Sequence, residues 1–213
     1  MLNKLPILIF FYISTLFAYP THWWGPTQSD RPIPEWEILP EEGTFGESVV
    51  LSKRNELGIL SNFAATSFSL DGKRYASLEG FWQSLKYPED KMDNRYGMDK
   101  LPHSRRDVEQ MTGFEAKTAG SHASKLMRKH QVDWVSYQGK KMIYRDPVKG
   151  QHYKLIVRAM IRKLQENKEV ENILKQTNKL KLLPDHKTSP SDPPAWKYYK
   201  IWTEQRDRML NKI

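Results

Sequence analysis

The sequence contains no cysteine among its 213 residues. It therefore has no disulfide, no thiol nucleophile and no lipid-modified cysteine. The six histidines never stand at the close spacing with Asp or Glu that is typical of zinc or iron ligands, so we predict no metal site and no cofactor. A glycine-rich phosphate loop and the Gly-x-Ser-x-Gly turn of serine hydrolases are also missing, which argues against those two kinds of site.

Aromatic and basic residues are abundant instead. Seven Trp, ten Tyr and eight Phe supply enough apolar surface for one sizeable core. No long internal repeat is visible that would indicate a solenoid or a propeller. The formal net charge is +9, and the basic residues are spread along the whole chain. This composition predicts one globular domain with an anionic partner.

The N-terminal residues differ from the rest. Lys4 precedes an apolar run at 5–17, and Ala18 offers a small residue at a cleavage position, which is typical of a secretory signal peptide. An uncleaved anchor or a buried first helix is the alternative, although the run is short for a membrane span. We predict a signal peptide at 1–18, a secreted or periplasmic protein, and no stable membrane insertion after cleavage. A Pro- and Trp-rich extended arm at 19–43 would pack on the domain or reach a partner.

A hairpin followed by a helix is predicted within residues 67–87. Apolar residues alternate with polar ones on both sides of Asp71-Gly72, a dipeptide that favours a tight turn with positive φ. Ser77 is a candidate N-cap that places Glu79 in the first helical turn, where the helix dipole favours an ionised carboxylate near neutral pH. Lys86 returns to nearly the same helix face seven residues later.

Two interpretations of this helix remain open. In the first, Glu79, Trp82, Gln83 and Lys86 form one face of a small-ligand site. In the second, the helix is an ordinary amphipathic one, with Trp82 in the core and with Glu79 and Lys86 at its solvated ends.

Four blocks of the sequence resemble the NADAR family, the NAD- and ADP-ribose-associated domains that are also called YbiA-like. The blocks are Leu60-Ser61-Asn62-Phe63-Ala64 through Lys86, Ala116 through Trp134, Met142 through Leu164, and Leu183-Pro184-Asp185-His186 with Trp196. The resemblance covers residues 44–213. It implies a single α+β, mainly helical domain with a small β-hairpin beside the site helix.

The resemblance also implies chemistry at an N-glycosidic bond of an ADP-ribosyl or related nucleotide-derived substrate, including an ADP-ribosylated nucleic acid or base. Glu79 is then the candidate catalytic carboxylate. Lys86 would hold a phosphate or ribose oxygen, or attack an opened sugar as an amine. A non-catalytic ADP-ribose-binding module of the same fold is the alternative. The candidate ligand-binding residues are Asn62, Phe63, Trp82, Gly120, Arg128, Asp185, His186 and Trp196.

The chain departs from the family pattern at two places. Gly80 stands where many relatives have a histidine, which would remove one acid or base, and the region of Trp196 lacks a glycine- and acid-rich turn. For Trp82 and Trp196, stacking on a base and packing in the core both remain open. Asp185 or Asp192 would supply a second carboxylate and His186 a titrating group, or these would be ordinary cap and loop residues.

Most of the remainder is predicted to be helical. A capping box at Thr112-Gly113-Phe114-Glu115 would begin a helix that ends at Gly120, where backbone N–H groups would approach a pyrophosphate. Asp146-Pro147 is predicted to begin the next long helix, and 196–210 to form the last one. The stretch 87–111 is predicted to be a loop over the pocket.

Overall fold

The computed structural model describes residues 19–211, in which six α-helices and six short strands are present. The helices are α1 (Leu78–Ser84), α2 (Arg105–Glu109), α3 (Gly113–Lys129), α4 (Gln151–Glu166), α5 (Lys168–Gln176) and α6 (Tyr198–Leu210). The strands are β1 (Ser48–Val50), β2 (Phe68–Leu70), β3 (Lys73–Tyr75), β4 (Trp134–Tyr137), β5 (Lys140–Ile143) and β6 (Lys181–Leu183). The predicted α+β, mainly helical fold class is confirmed.

The strands form three separate pairs. β1 and β6 are parallel, with Val49 opposite Leu182, and β4 and β5 are antiparallel. β2 and β3 form the predicted antiparallel hairpin. Its turn residues Asp71 and Gly72 have φ angles of +50° and +80°, as a two-residue hairpin turn with positive φ requires.

The start of α1 is fixed by Ser77, as the sequence predicts. Its Oγ accepts a hydrogen bond from the Gly80 N–H (2.9 Å) and donates one to the Met111 carbonyl (2.9 Å). Phe81 on the next turn packs edge-on against Tyr75 of the hairpin, with ring centroids 4.8 Å apart. The cap and this aromatic contact join hairpin, α1 and the end of α2 into one unit.

The Pro- and Trp-rich segment 19–43 packs on the domain. It contains two short 3₁₀ turns, Thr21–Trp24 and Pro40–Glu42, and Trp23 is fully buried in the main core. The predicted signal peptide at 1–18 lies outside the described residues. Within the part of the chain that the structure describes, no helix has both the length and the apolar character that crossing a bilayer requires.

Two predictions about α3 are wrong. The helix continues through Gly120 to Lys129, and the Thr112 side chain makes no capping hydrogen bond. The Gly113 N–H instead donates to the Phe63 carbonyl (3.2 Å), so the helix start is held by a distant segment rather than by a capping box. A glycine with a packing role is tolerated inside a helix, which explains why Gly120 does not end it.

The predicted starts of the last two long helices are also wrong. α4 begins at Gln151 because the Asp146 side chain accepts a hydrogen bond from the Val148 N–H (3.0 Å) and forms a turn first. α6 begins at Tyr198 because Lys197 has a non-helical backbone, with ψ of +58°.

Candidate functional site

A cleft of about 840 Å³ opens between α1, α3 and the segments around residues 62, 144, 186 and 196. Nine predicted site residues line it, namely Asn62, Phe63, Glu79, Trp82, Lys86, Arg128, Asp185, His186 and Trp196. The tenth, Gly120, lies behind the wall. The stretch 87–111 does not border the cleft, contrary to prediction. It contains α2, and its Arg105 is directed away to donate to the Ser136 carbonyl (2.9 Å).

The segment 60–63 is held by hydrogen bonds to four consecutive carbonyl oxygens. The donors to residues 60, 61, 62 and 63 are Trp202 Nε1 (2.7 Å), Lys163 Nζ (2.9 Å), the Glu79 N–H (2.9 Å) and the Gly113 N–H (3.2 Å). Lys163 is fully buried, and this burial lowers its pKa to about 7. With the backbone fixed at each residue, the side chains of Asn62 and Phe63 are placed in the cleft wall.

Glu79 is buried in the wall and only 6% exposed. Its Oε1 accepts a hydrogen bond from Gln83 Nε2 (2.7 Å), one helical turn away. Burial raises the pKa of the carboxyl, and the Gln83 hydrogen bond and the positive charges of Lys117 and Lys86 oppose that shift. The helix dipole alone favours an ionised Glu79 carboxylate, as the sequence predicts. Desolvation, which the sequence does not reveal, favours the protonated form instead.

Gly120 makes room for Gln83. A Cβ atom at this position would lie 1.7 Å from Gln83 Oε1, so no larger residue fits while the glutamine keeps its conformation. The prediction that Gly120 offers its backbone to a pyrophosphate is wrong, since the residue lies within α3 and outside the cleft lining. Gly120 contributes indirectly, because its lack of a side chain leaves room for the Gln83 amide that contacts Glu79.

Gly80 faces away from the cleft. A Cβ atom there would lie 2.4 Å from the Met111 carbonyl oxygen and 2.8 Å from that of Val108. A histidine side chain would therefore meet the end of α2. The departure at Gly80 thus removes no acid or base from this cleft.

Lys86 is as deeply buried as Glu79, at 6% exposure. Its Nζ donates to Ser124 Oγ (2.8 Å) and lies 4.8 Å from the centre of the Tyr144 ring. Burial lowers the pKa of Lys86 to about 8, and the negative charge of Glu79 opposes the shift. The interpretation of α1 as an ordinary amphipathic helix places Glu79 and Lys86 at solvated ends. The structure instead buries both side chains in the wall of the cleft.

Asp185 is surrounded by partners. Its Oδ2 forms an ion pair with Lys53, and its Oδ1 accepts hydrogen bonds from the Tyr198 hydroxyl (2.9 Å) and His186 Nδ1 (2.8 Å). Because a carboxylate only accepts, Nδ1 of His186 carries the proton and Nε2 is left as an acceptor. Burial, followed by the charges of Lys53 and Lys117, lowers the pKa of His186.

One face of α3 supplies a polar strip that the sequence interpretation missed in part. Lys117, Ser121, Ser124 and Arg128 follow one another at spacings of four, three and four residues, and all four line the cleft. Only Arg128 is a predicted site residue. The helical period of these polar positions is the signal that identifies the other three.

The two predicted tryptophans differ in accessibility. Trp82 is only 7% exposed and belongs to the main core, and its indole Nε1 donates to the Tyr144 hydroxyl (3.3 Å). Trp196 is half-buried, and the Arg145 guanidinium lies 4.5 Å from its ring centre. Trp82 is therefore mainly a core residue, whereas part of the Trp196 side chain is open to the cleft.

Trp36 and Lys53 also line the cleft, and the sequence interpretation named neither as a site residue. Both residues precede the 60–63 block in the sequence, and no sequence periodicity relates them to that block. Only the folded chain brings them beside Asp185. Within residues 19–211, no three His, Asp or Glu side chains converge as the ligands of a metal ion would.

Comparison with known proteins gives one structural likeness. No family model matches the chain, and no curated protein matches it. Among solved structures, the chain is similar to the NMR structure of the E. coli protein YbiA, with a TM-score of 0.46 and 16% identity. The match covers 78% of this chain and 88% of that one. A likeness of this degree bears on no activity.

Proposed function

We propose that the protein is a NADAR-type, YbiA-like N-glycosidase that cuts an ADP-ribosyl or related nucleotide-derived N-glycosidic bond. The observation that supports the proposal is the buried carboxylate of Glu79, which faces a cleft lined by Lys53, Lys86, Lys117 and Arg128. A cleft of about 840 Å³ accommodates a nucleotide-sized ligand. The four cations suit its phosphates, and the carboxylate suits the sugar carbon of the bond that is cut.

Glu79 would act on the reacting sugar. An N-glycosidic bond breaks through a transition state with positive charge on the anomeric carbon, which a fixed carboxylate stabilises. In the proposed step, Glu79 accepts a proton from a water molecule while the oxygen of that water bonds to the anomeric carbon. The carbon–nitrogen bond breaks, its electron pair leaves with the nitrogen, and the nitrogen takes a proton from solvent water while Glu79 returns its own proton to solvent. A carboxyl with a raised pKa is suited to such proton transfer near neutral pH.

Lys86 would hold a phosphate or a ribose oxygen. Its ammonium donates to Ser124, and it makes no ion pair with a carboxylate within residues 19–211. Two of its three N–H donors are therefore available to a ligand oxygen. Attack on an opened sugar by the neutral amine is a second role, for which a pKa of about 8 provides part of the neutral form at neutral pH. Asn62, whose carbonyl accepts a hydrogen bond from the Glu79 N–H (2.9 Å), would donate from its side chain to a ribose hydroxyl beside Glu79.

A non-catalytic ADP-ribose-binding module is the second candidate function. The observation that favours it is the environment of Asp185, whose two oxygens already contact Lys53, Tyr198 and His186. This carboxylate is thereby occupied and would not serve as a second acid or base. A binding module would retain affinity for ADP-ribose and release no product.

The test is product formation by the purified protein on a panel of ADP-ribosylated bases, ADP-ribosylated oligonucleotides and nucleotide N-glycosides, followed by mass spectrometry. Glu79→Gln keeps the size of the side chain and its hydrogen bond to Gln83, and it removes the charge. We expect turnover to fall about 10²- to 10⁴-fold in this variant, as for the loss of a positioned acid–base group. Undiminished turnover would remove Glu79 from the reaction.

Glu109→Gln is the matched control. Glu109 is also a buried carboxylate, at 1% exposure, but it pairs with Lys73 and Arg105 away from the cleft. Its substitution should change stability and leave turnover close to that of the unmodified protein. If no substrate of the panel is cut and ADP-ribose still raises the melting temperature, the binding module replaces the enzyme.

We further propose that the protein is secreted or periplasmic, on the sequence pattern of residues 1–18 alone. The N-terminal sequence of the protein recovered from the exported fraction tests this. Tyr19 at the first position is the expected result, and an intact Met1 in a cytoplasmic fraction would contradict export.

A further inference from the structure

The segment 36–38 is joined to the cleft wall by backbone hydrogen bonds. The Lys187 N–H donates to the Trp36 carbonyl (2.8 Å), and the Ile38 N–H donates to the Asp185 carbonyl (3.1 Å). Between them, Glu37 and His186 form an antiparallel bridge. The N-terminal segment therefore continues the wall that carries two predicted site residues.

A side-chain pair fixes the same segment from the other side. Arg54 donates from Nε and from an Nη atom to the two carboxylate oxygens of Glu37, with both distances 2.7 Å. This bidentate geometry is the strongest form of such a pair. The backbone at Trp36 is thus held both by its own carbonyl bond to Lys187 and by the side-chain pair of the neighbouring Glu37.

The ring of Trp36 is nevertheless 44% exposed, although it borders the cleft. Lys53 Nζ lies 5.8 Å from its centre and 5.2 Å from the centre of the Phe63 ring. We call Trp36, Lys53 and Phe63 the outer edge of the cleft. An accessible indole on a rigid backbone, beside a cation, combines a stacking surface with a phosphate contact.

We propose that Trp36 forms a stacking subsite for the nucleobase that stays on the ligand when the N-glycosidic bond is cut. The inference deepens the proposed function and rests on it for the position of the reacting sugar at Glu79. With the sugar there, the phosphates pass Lys53 and Lys117, and the remaining base reaches the indole of Trp36. Stacking on one face accepts any flat base, so the subsite adds affinity for nucleotides over sugar phosphates.

The test compares ligands with and without a base. Calorimetric affinities of AMP, ADP-ribose and ribose 5-phosphate are measured for the unmodified protein, Trp36→Ala and Trp36→Phe. For Trp36→Ala we expect about fivefold or greater loss for AMP and ADP-ribose and no loss for ribose 5-phosphate. Trp36→Phe, which retains a flat ring, should recover part of the affinity.

Phe45→Ala is the control, because Phe45 is also exposed, at 63%, but contacts Trp24 and does not border the cleft. Equal affinities of Trp36→Ala and unmodified protein for AMP and ADP-ribose overturn the subsite and leave the proposed function standing. A Trp36-dependent affinity for AMP without turnover of any N-glycoside supports the subsite and overturns the enzyme. An equal loss for all three ligands overturns the subsite, since a base-stacking ring cannot produce it.

Discussion

Two buried carboxylates border the cleft, and the regions around them are built differently. Asp185 has three partners, the Lys53 ammonium, the Tyr198 hydroxyl and the His186 ring. Glu79 has one, the amide of Gln83. The nearby Lys86 donates to a serine rather than to this carboxylate.

The two environments suit the two carboxylates to different roles. A buried acid whose oxygens are all engaged stabilises the charge that it carries and holds its neighbours in place. A buried acid with a single amide partner keeps lone pairs free for a ligand or a water molecule, and desolvation raises its pKa. The Asp185 region is therefore a structural wall, and the Glu79 region is the part that is suited to chemistry.

The largest change in stability is expected for Asp185→Asn. The substitution removes the charge opposite Lys53 and weakens two charge-assisted hydrogen bonds, so the free energy of unfolding should fall by about 2 to 3 kcal/mol. Chemical denaturation measures this, with Asp192→Asn as a control, since within residues 19–211 its carboxylate accepts a hydrogen bond from the nearby Ser189 N–H alone. An unchanged midpoint for Asp185→Asn would contradict the role of this region as a wall.

A smaller effect, on activity, is expected for Gly120→Ala. The new methyl group would displace Gln83, and Glu79 would lose the hydrogen bond that lowers its pKa. Turnover should fall about tenfold, and the acidic limb of its pH profile should move to higher pH, as for a poorly placed catalytic base.

The double variant Gly120→Ala with Gln83→Ala tests the mechanism of that effect. Truncation of Gln83 removes the clash, so the two substitutions should be non-additive in melting temperature. Additive losses in melting temperature would show that Gly120→Ala destabilises the fold through a contact other than the one with Gln83.

The smallest effect concerns Lys86 and pH. Because burial lowers the pKa of Lys86 to about 8, its charge is present below that pH and is lost as pH rises through it. The affinity for ADP-ribose should therefore weaken severalfold between pH 7 and pH 9, since an ordinary lysine stays charged over that range. Calorimetry across this range measures the change.

Lys86→Met should lower the affinity at pH 7 and reduce this pH dependence. Part of the dependence should remain, because burial also lowers the pKa of Lys53 in the same cleft to about 8. Lys141→Met is the matched control, because Lys141 also lies over an aromatic ring, 4.2 Å from the centre of Trp134, but outside the cleft. An affinity that stays constant from pH 7 to pH 9 in the unmodified protein would contradict a role for the Lys86 charge in binding.

Local signals predict the part of the site that lies on one continuous segment. The Asp71-Gly72 turn and the Ser77 cap are set by neighbouring residues, and they place Glu79 and Lys86 correctly in the cleft wall. The ionisation of Glu79 could not be predicted in this way, because desolvation depends on α3 and on other segments that cover it.

Long-range contacts determine the rest. Trp36 is held at the cleft by long-range contacts, among them its backbone bond to Lys187, about 150 residues later in the chain. The role of Gly120 differs from the prediction because a glycine that makes room for a side chain has the same local sequence signal as one that ends a helix.

The most direct test measures turnover and melting temperature side by side for Glu79→Gln and Asp185→Asn, on one ADP-ribosylated base. We predict opposite results for the two variants. Glu79→Gln should lose turnover about 10²-fold or more and keep its melting temperature, whereas Asp185→Asn should melt earlier and keep turnover within about tenfold. Full turnover by Glu79→Gln, or its loss in a stable Asp185→Asn, would contradict the assignment of chemistry to one carboxylate and structure to the other.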